Sequence, residues 1–159
     1  MPSKAAHVQA AQENQRAIDH LSEKIDEFPQ WVTTIAFYKA LHIVEAILAA
    51  EGKHCDDHAA RNLLLKSTRR FQHIWKHYRP LFNDSLVARY LREDGNSPTY
   101  DVFSRYLSPS DVRTQVLGHR LRQIEQSART LLREPDFLAQ GTEPPSQSTQ
   151  MAGDSHDIR

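Results

Sequence analysis

Apolar residues recur at steps of three and four in the first part of the chain, which is the period of an amphipathic helix. In the segment 5–28 this stripe consists of Val8, Ala11, Ile18, Leu21, Ile25 and Phe28. The segment 30–51 is apolar on most sides, so it predicts a helix in the middle of a bundle. Pro29 separates the two predicted helices, and Gly52 is a natural stop after the second.

The stretch KHCDDHAARN, residues 53–62, precedes the third periodic segment. Two histidines, a cysteine and two aspartates are metal-ligand types, but no second ligand pair stands elsewhere at a zinc spacing. We expect Asp56 or Asp57 to cap a third helix over residues 57–79, because aspartate accepts the unpaired amides of a first helical turn. His54 then lies outside the helix, and we predict no metal and no cofactor. Pro80 is expected to break this helix.

Two further helix starts follow. Asn83 or Asp84 is placed to cap a helix in FNDSLVARYL, and SPSD at residues 108–111 is typical of a strong start. The final stripe runs to about residue 133, and Pro135 stops it.

The remaining segments are polar. EDGNSP, residues 93–98, predicts a loop, and residues 136–159 predict a disordered tail. With no strand signal, residues 1–135 predict an all-α domain. We expect an up-and-down bundle of four long helices plus one or two short ones.

Composition narrows the cellular setting. The single cysteine, Cys55, excludes an internal disulfide framework and favours a reducing compartment. The longest apolar region is interrupted by Lys39, His42 and Glu45, so we expect no membrane span and no membrane partner. These features predict a cytoplasmic protein.

The formal net charge of zero hides a basic middle segment. The segments 1–57, 58–92 and 93–159 carry net charges of −4, +7 and −3. If the third helix is continuous, a spacing of 100° per residue places four cations on its solvent face. These candidate anion-binding residues are Arg61, Arg69, Lys76 and Arg79. The alternative is that the basic segment pairs with acidic helices of the same molecule.

Three polar residues interrupt the apolar second helix. Tyr38, His42 and Glu45 follow each other at steps of four and three, and we expect them to form a buried polar network or to meet a pocket.

The segment WVTTIAFYKALHIVEAILAAEGKHCDDHAARNLLLK resembles the HEPN superfamily of small helical bundles. The likeness rests on Phe37 and Tyr38 followed by His42, and on Gly52 in a loop that carries a histidine before the next helix. It extends over about residues 29–132. The resemblance implies a helical bundle, often dimeric, that is linked to RNA cleavage, toxin–antitoxin pairs or phage defence.

Catalytic members of this superfamily carry an arginine followed after four to six residues by a histidine. They cleave RNA without metal, with histidine transferring protons and arginine stabilising phosphate charge. Arg113 and His119 match this pattern and are the first choice for a catalytic pair; Arg70 and His77 are the second. Measured around the axis of an ideal helix, Arg70 and His77 are only about 20° apart, whereas Arg113 and His119 are about 120° apart.

Three interpretations of function remain open at this point. The first is a non-catalytic HEPN-like module that binds RNA, a nucleotide or a protein partner through the basic third helix. The second is a metal-independent HEPN ribonuclease acting as a toxin or defence effector. The third is a structural protein-interaction bundle. A homodimer is expected, since a composite site demands two subunits.

Overall fold

The computed structural model describes residues 2–92 and 99–133, and these form a helical bundle. Its long helices are α1 (Lys4–Ser22), α2 (Pro29–Ala50), α4 (Gln72–Tyr90) and a continuous final helix, α5, over residues 109–132; a shorter α3 spans His58–Ser67. The described residues contain no β-strand beyond one isolated bridge between Arg92 and Thr99. The predicted all-α class is confirmed. The predicted loop 93–98 and tail 136–159 lie outside the described residues.

Local signals account for the first two helices. The Ser3 hydroxyl accepts a hydrogen bond from the Ala6 amide at 3.2 Å and begins α1. This helix ends at Ser22, earlier than predicted, and a turn then leads to Pro29 in the first position of α2. Gly52, with a φ of +67°, follows the end of α2 in the left-handed conformation that glycine adopts without strain.

Helix α2 is the centre of the bundle, and α1, α4 and α5 pack against it. The buried Lys39 ammonium contacts Gln15 of α1 and pairs with Glu125 of α5, so the cation is satisfied from both neighbours. Among the described helices, α2 alone is long and apolar enough to span a membrane, but 72% of its most apolar window is buried inside the bundle.

The predicted third helix over residues 57–79 is wrong. The chain leaves the helical conformation at Thr68, whose φ of −92° and ψ of 114° are extended, and a 3-10 turn at Arg69–Phe71 then leads into α4. Ser67 and the β-branched Thr68 have lower helix propensity than the residues around them. The break lets Phe71 reach the core, where it is fully buried.

The predicted break at Pro80 is also wrong, since Pro80 lies inside α4. Proline lacks an amide hydrogen, so the Lys76 carbonyl cannot receive its usual helical hydrogen bond. The helix continues because both of its halves bury apolar side chains against the bundle. Ile74 and Tyr78 precede the proline, and Leu81 and Val87 follow it.

Helix α5 consists of three consecutive segments: Pro109–Asp111, a π-helical Val112–Leu121, and Arg122–Leu132. The predicted start is confirmed. Ser108 and Asp111 form a capping box, in which each side chain hydrogen-bonds the other residue's amide. The π-helical segment widens the helix where it faces α4, and such segments occur frequently at functional sites.

Candidate functional site

The stretch KHCDDHAARN is the turn and cap that begin α3. The Asp57 carboxylate accepts a hydrogen bond from the Ala60 amide at 2.7 Å, which confirms the predicted N-cap. His54 lies outside the helix and is exposed, whereas the His58 ring packs 5.3 Å from that of Phe82. Across residues 2–92 and 99–133, no group of three or more metal-ligand side chains is arranged to hold an ion.

Arg61 does not lie on a solvent face, in contrast to the prediction. Its side chain is 7% exposed, pairs with the buried Glu45 of α2, and donates to His58 Nδ1 at 3.0 Å. The predicted face assumed one regular helix through residue 79, and the break at Thr68 rotates α3 relative to α4. Arg61 therefore joins α3 to α2 and is not available to an external anion.

The residues Tyr38, His42 and Glu45 do not form one buried network. Glu45 pairs with Arg61, and His42 Nδ1 lies 3.2 Å from Nδ1 of His7 on α1. Tyr38 is 37% exposed, and its hydroxyl accepts a long 3.4 Å hydrogen bond from Arg89. The prediction is wrong for Tyr38 because this position of α2 lies at the edge of the bundle.

The two residues of each predicted arginine–histidine pair have different partners in the structure. The guanidinium of Arg113 binds the Asp26 carboxylate through two hydrogen bonds of 3.0 and 2.9 Å, and the His119 ring contacts α4 instead. Arg70 pairs with Glu51 at 2.8 Å, whereas His77 is buried. Each arginine is thus held by a carboxylate of another segment.

What the structure brings together is one histidine from each predicted pair. The rings of His77 on α4 and His119 on α5 meet edge to face, with centroids 5.0 Å apart. His73, one turn before His77, also contacts the His77 ring, with centroids 5.1 Å apart. The spacing of four between His73 and His77 is visible in the sequence, but the approach of His119 depends on how α5 packs.

Burial is the largest cause that lowers the pKa of His77 to about 4, followed in order by the neighbouring His73, His119, Lys76 and Arg120. The ring is therefore neutral near pH 7. A neutral imidazole next to several cationic or titratable groups becomes easier to protonate when an anion arrives among them.

A cavity of about 340 Å³ lies between α4 and α5 at these rings. We call it the His77 cavity, and it is lined by Lys76, His77, Pro80, Thr114, Gln115, His119 and Arg120. In the part of the chain that the structure describes, no carboxylate is in this lining. Apart from the apolar Pro80, the side chains of this lining carry nitrogen, hydroxyl or amide groups.

Arg120, which lines this cavity, is held in place by a buried carboxylate. Its guanidinium pairs with Asp84, a carboxylate that is 1% exposed and that also accepts a 2.9 Å hydrogen bond from the Tyr106 hydroxyl. Asp84 neutralises the charge of Arg120, but one carboxylate does not use all five guanidinium donors. Nothing in the sequence indicates this contact, because residues 84 and 120 are far apart in the chain.

A second cavity of about 450 Å³ adjoins the first along the same two helices. We call it the Gln126 cavity, and it is lined by Arg70, His73, Ile74, Gln123, Gln126, Ser127, Thr130 and Leu131. His73 of this lining contacts His77 of the first cavity, so the two cavities are neighbours, and we call the pair the groove between α4 and α5. We did not predict the amide-bearing residues of α5 as site residues.

The other predicted anion-binding residues take different positions. Lys76 lines the His77 cavity, whereas Arg69 is exposed in the 3-10 turn. Within residues 2–92 and 99–133, neither Lys76 nor Arg69 forms an ion pair with a carboxylate. The guanidinium of Arg79 lies over the rings of Trp75 and Phe82, at 5.9 and 5.6 Å from their centroids.

Comparison with known proteins does not assign the chain to a family. No family model, curated protein or solved structure matches the chain.

Proposed function

We propose that the protein is a non-catalytic, HEPN-like helical module that binds RNA through the groove between α4 and α5. The observation that carries this proposal is the His77 cavity. Lys76, His77, His119 and Arg120 line it, and no carboxylate does so among the described residues. RNA phosphates are bound by such groups through charge and hydrogen bonds.

The side chains that line the His77 cavity have different roles in binding phosphate. The Lys76 ammonium supplies a mobile positive charge, because no carboxylate of the described chain pairs with it. Arg120 supplies directed N–H donors, because Asp84 holds its guanidinium in place. The His77 imidazole becomes easier to protonate when a phosphate lies beside it. The predicted basic surface is therefore replaced by a groove that shares only Lys76 with it.

The dependence of RNA affinity on salt tests this proposal. Lys–phosphate and Arg–phosphate contacts release counterions, so affinity is expected to fall steeply as salt increases. The Lys76→Ala variant should reduce the slope of log affinity against log salt by about 1. The Arg16→Ala variant, which removes an exposed cation of α1, is the matched control and should leave the slope unchanged.

Two results would contradict the proposal. One is an absence of RNA binding even at low salt, which leaves the structural interaction bundle as the remaining interpretation. The other is an equal loss of slope in Lys76→Ala and Arg16→Ala, which means that RNA is attracted only by general surface charge.

A metal-independent ribonuclease is the second candidate, and the contact between His77 and His119 favours it. One ring is buried and the other exposed, and both line one cavity. Proton transfer to and from RNA oxygens needs two such groups within reach of one phosphate.

Cleavage of single-stranded RNA in the presence of a chelator tests the second candidate. We expect cleavage, and slowed growth on expression, to be abolished in His119→Ala if the enzyme interpretation is right. The variant His54→Ala, which removes an exposed histidine of the loop before α3, is the control. Intact RNA with the unaltered protein contradicts this candidate and leaves the binding proposal in place.

A further inference from the structure

The Gln126 cavity differs in chemistry from the His77 cavity that it adjoins. Its lining combines the apolar side chains of Ile74 and Leu131 with the amides of Gln123 and Gln126. Its volume of about 450 Å³ is within the range of small-ligand sites. A site lined by both apolar and amide side chains fits a flat ring that has hydrogen-bonding groups on its rim.

The side-chain amides of this lining are open to a ligand. In the described parts of the chain, neither the Gln123 nor the Gln126 side-chain amide makes a hydrogen bond, although their backbone carbonyls accept from Ser127 and Thr130. Each amide carries one acceptor oxygen and two N–H donors. Nucleobases present alternating donors and acceptors on their Watson–Crick edge, which such amides match.

Taking RNA binding through the His77 cavity as its premise, we propose that the Gln126 cavity holds an unpaired base of single-stranded RNA. The phosphate next to that base then lies at Lys76 and Arg120, and His73 lies between the two subsites. A base within a duplex is stacked and has its Watson–Crick edge occupied, so it does not enter the cavity. The ligand class is therefore single-stranded RNA.

Competition against a labelled single-stranded octamer tests the base subsite. The competitors are the unlabelled octamer, the same octamer as a duplex, an abasic strand with the same number of phosphates, and a mononucleotide. We expect the octamer to compete about tenfold better than the abasic strand, since one bound base contributes roughly that much. The duplex and the mononucleotide should be weaker competitors than the octamer.

The double variant Gln123→Ala/Gln126→Ala separates base recognition from phosphate binding. It should lower the affinity for the octamer to that for the abasic strand, and it should leave the abasic strand's affinity unchanged. Gln72→Ala removes an exposed amide at the start of α4, outside the cavity lining, and is the control. A second variant, Gln126→Glu, keeps the side-chain shape and should weaken the octamer more than the duplex.

The outcomes distinguish this inference from the proposed function. If the abasic strand or the duplex binds as tightly as the octamer, the base subsite is wrong while phosphate binding stands. If the mononucleotide competes as well as the octamer, the occupant is a free nucleotide and the assignment to single-stranded RNA is overturned. If no strand binds at low salt, the proposed function itself fails.

Discussion

His77 and His119 stand in edge-to-face contact across the groove between α4 and α5, with ring centroids 5.0 Å apart. The two residues come from different arginine–histidine motifs of the sequence, and the arginine of each motif pairs instead with a carboxylate of another segment. Their contact places a buried imidazole with a pKa of about 4 in the wall of a cavity that also holds Lys76 and Arg120. The chemistry of the groove therefore depends on pH.

RNA affinity is expected to increase as the pH falls from 7 towards 5. A phosphate in the His77 cavity stabilises the charged imidazolium and raises the pKa of His77, so binding takes up protons. Calorimetry in two buffers of different ionisation enthalpy measures this uptake. The His77→Gln variant should show a smaller uptake and a flatter pH profile. An identical profile in the variant would mean that His77 does not sense the ligand.

Stability in the absence of RNA should have the opposite dependence on pH. The unfolded chain protonates His77 near its ordinary pKa of 6.5, whereas the folded protein does so only near 4. The contribution of the neutral His77 to the free energy of unfolding is therefore fully present above about pH 6.5. It is lost as the pH falls towards 4, by up to about 1.4 kcal/mol per pH unit.

Urea denaturation at pH 7.5, 6.5 and 5.5 checks this dependence. The His77→Gln variant should lose less stability over that range than the unaltered protein. Some pH dependence should remain, because burial also lowers the pKa values of His7, His42 and His58. An unchanged slope in the variant would show that His77 is protonated alike in both states.

The Arg61→Ala variant should lose stability without losing RNA affinity. Removing the guanidinium leaves Glu45 buried and unpaired, which costs about 3–5 kcal/mol. Arg69→Ala, at an exposed position in the 3-10 turn, is the comparison and should change stability by less than about 0.5 kcal/mol. Denaturation curves measure both. A stable Arg61→Ala protein with weakened RNA binding would restore Arg61 to the predicted basic surface.

The Pro80→Ala variant should be more stable than the unaltered protein. Alanine supplies the amide hydrogen that the Lys76 carbonyl lacks, and a proline inside a helix costs about 3 kcal/mol relative to alanine. Pro29→Ala is the control, because the first residue of α2 needs no such donor. A loss of stability in Pro80→Ala would indicate that the proline ring itself is a packing element.

The Gly118→Ala variant tests the π-helical segment of α5. An added Cβ would lie 3.0 Å from the Arg113 carbonyl oxygen, so the backbone between these residues must shift. We expect a net loss of about 1 kcal/mol, although alanine has the higher helix propensity. We also expect weaker RNA binding, because His119 is the next residue. Equal stability and affinity would mean that the wider helix is not needed.

The sequence alone was sufficient where a structural signal lies within one turn of the chain. The aspartate cap of α3, the helix start at Ser108 and the apolar character of α2 involve neighbours at most a few residues apart, and all three were predicted. The third helix was predicted too long because the apolar period continues through Ser67 and Thr68, whose low helix propensity ends α3. The predicted break at Pro80 rested on the missing amide hydrogen alone. Burial of apolar side chains before and after the proline keeps α4 continuous.

Contacts between distant segments were decided only by the tertiary structure. Arg61 with Glu45, Arg113 with Asp26, and His77 with His119 each join helices whose relative positions depend on how side chains fill the core. Periodicity specifies which face of a helix is apolar, but it does not specify which charged residue of another helix will lie opposite. The helical class follows from the sequence, whereas the groove between α4 and α5 follows from packing.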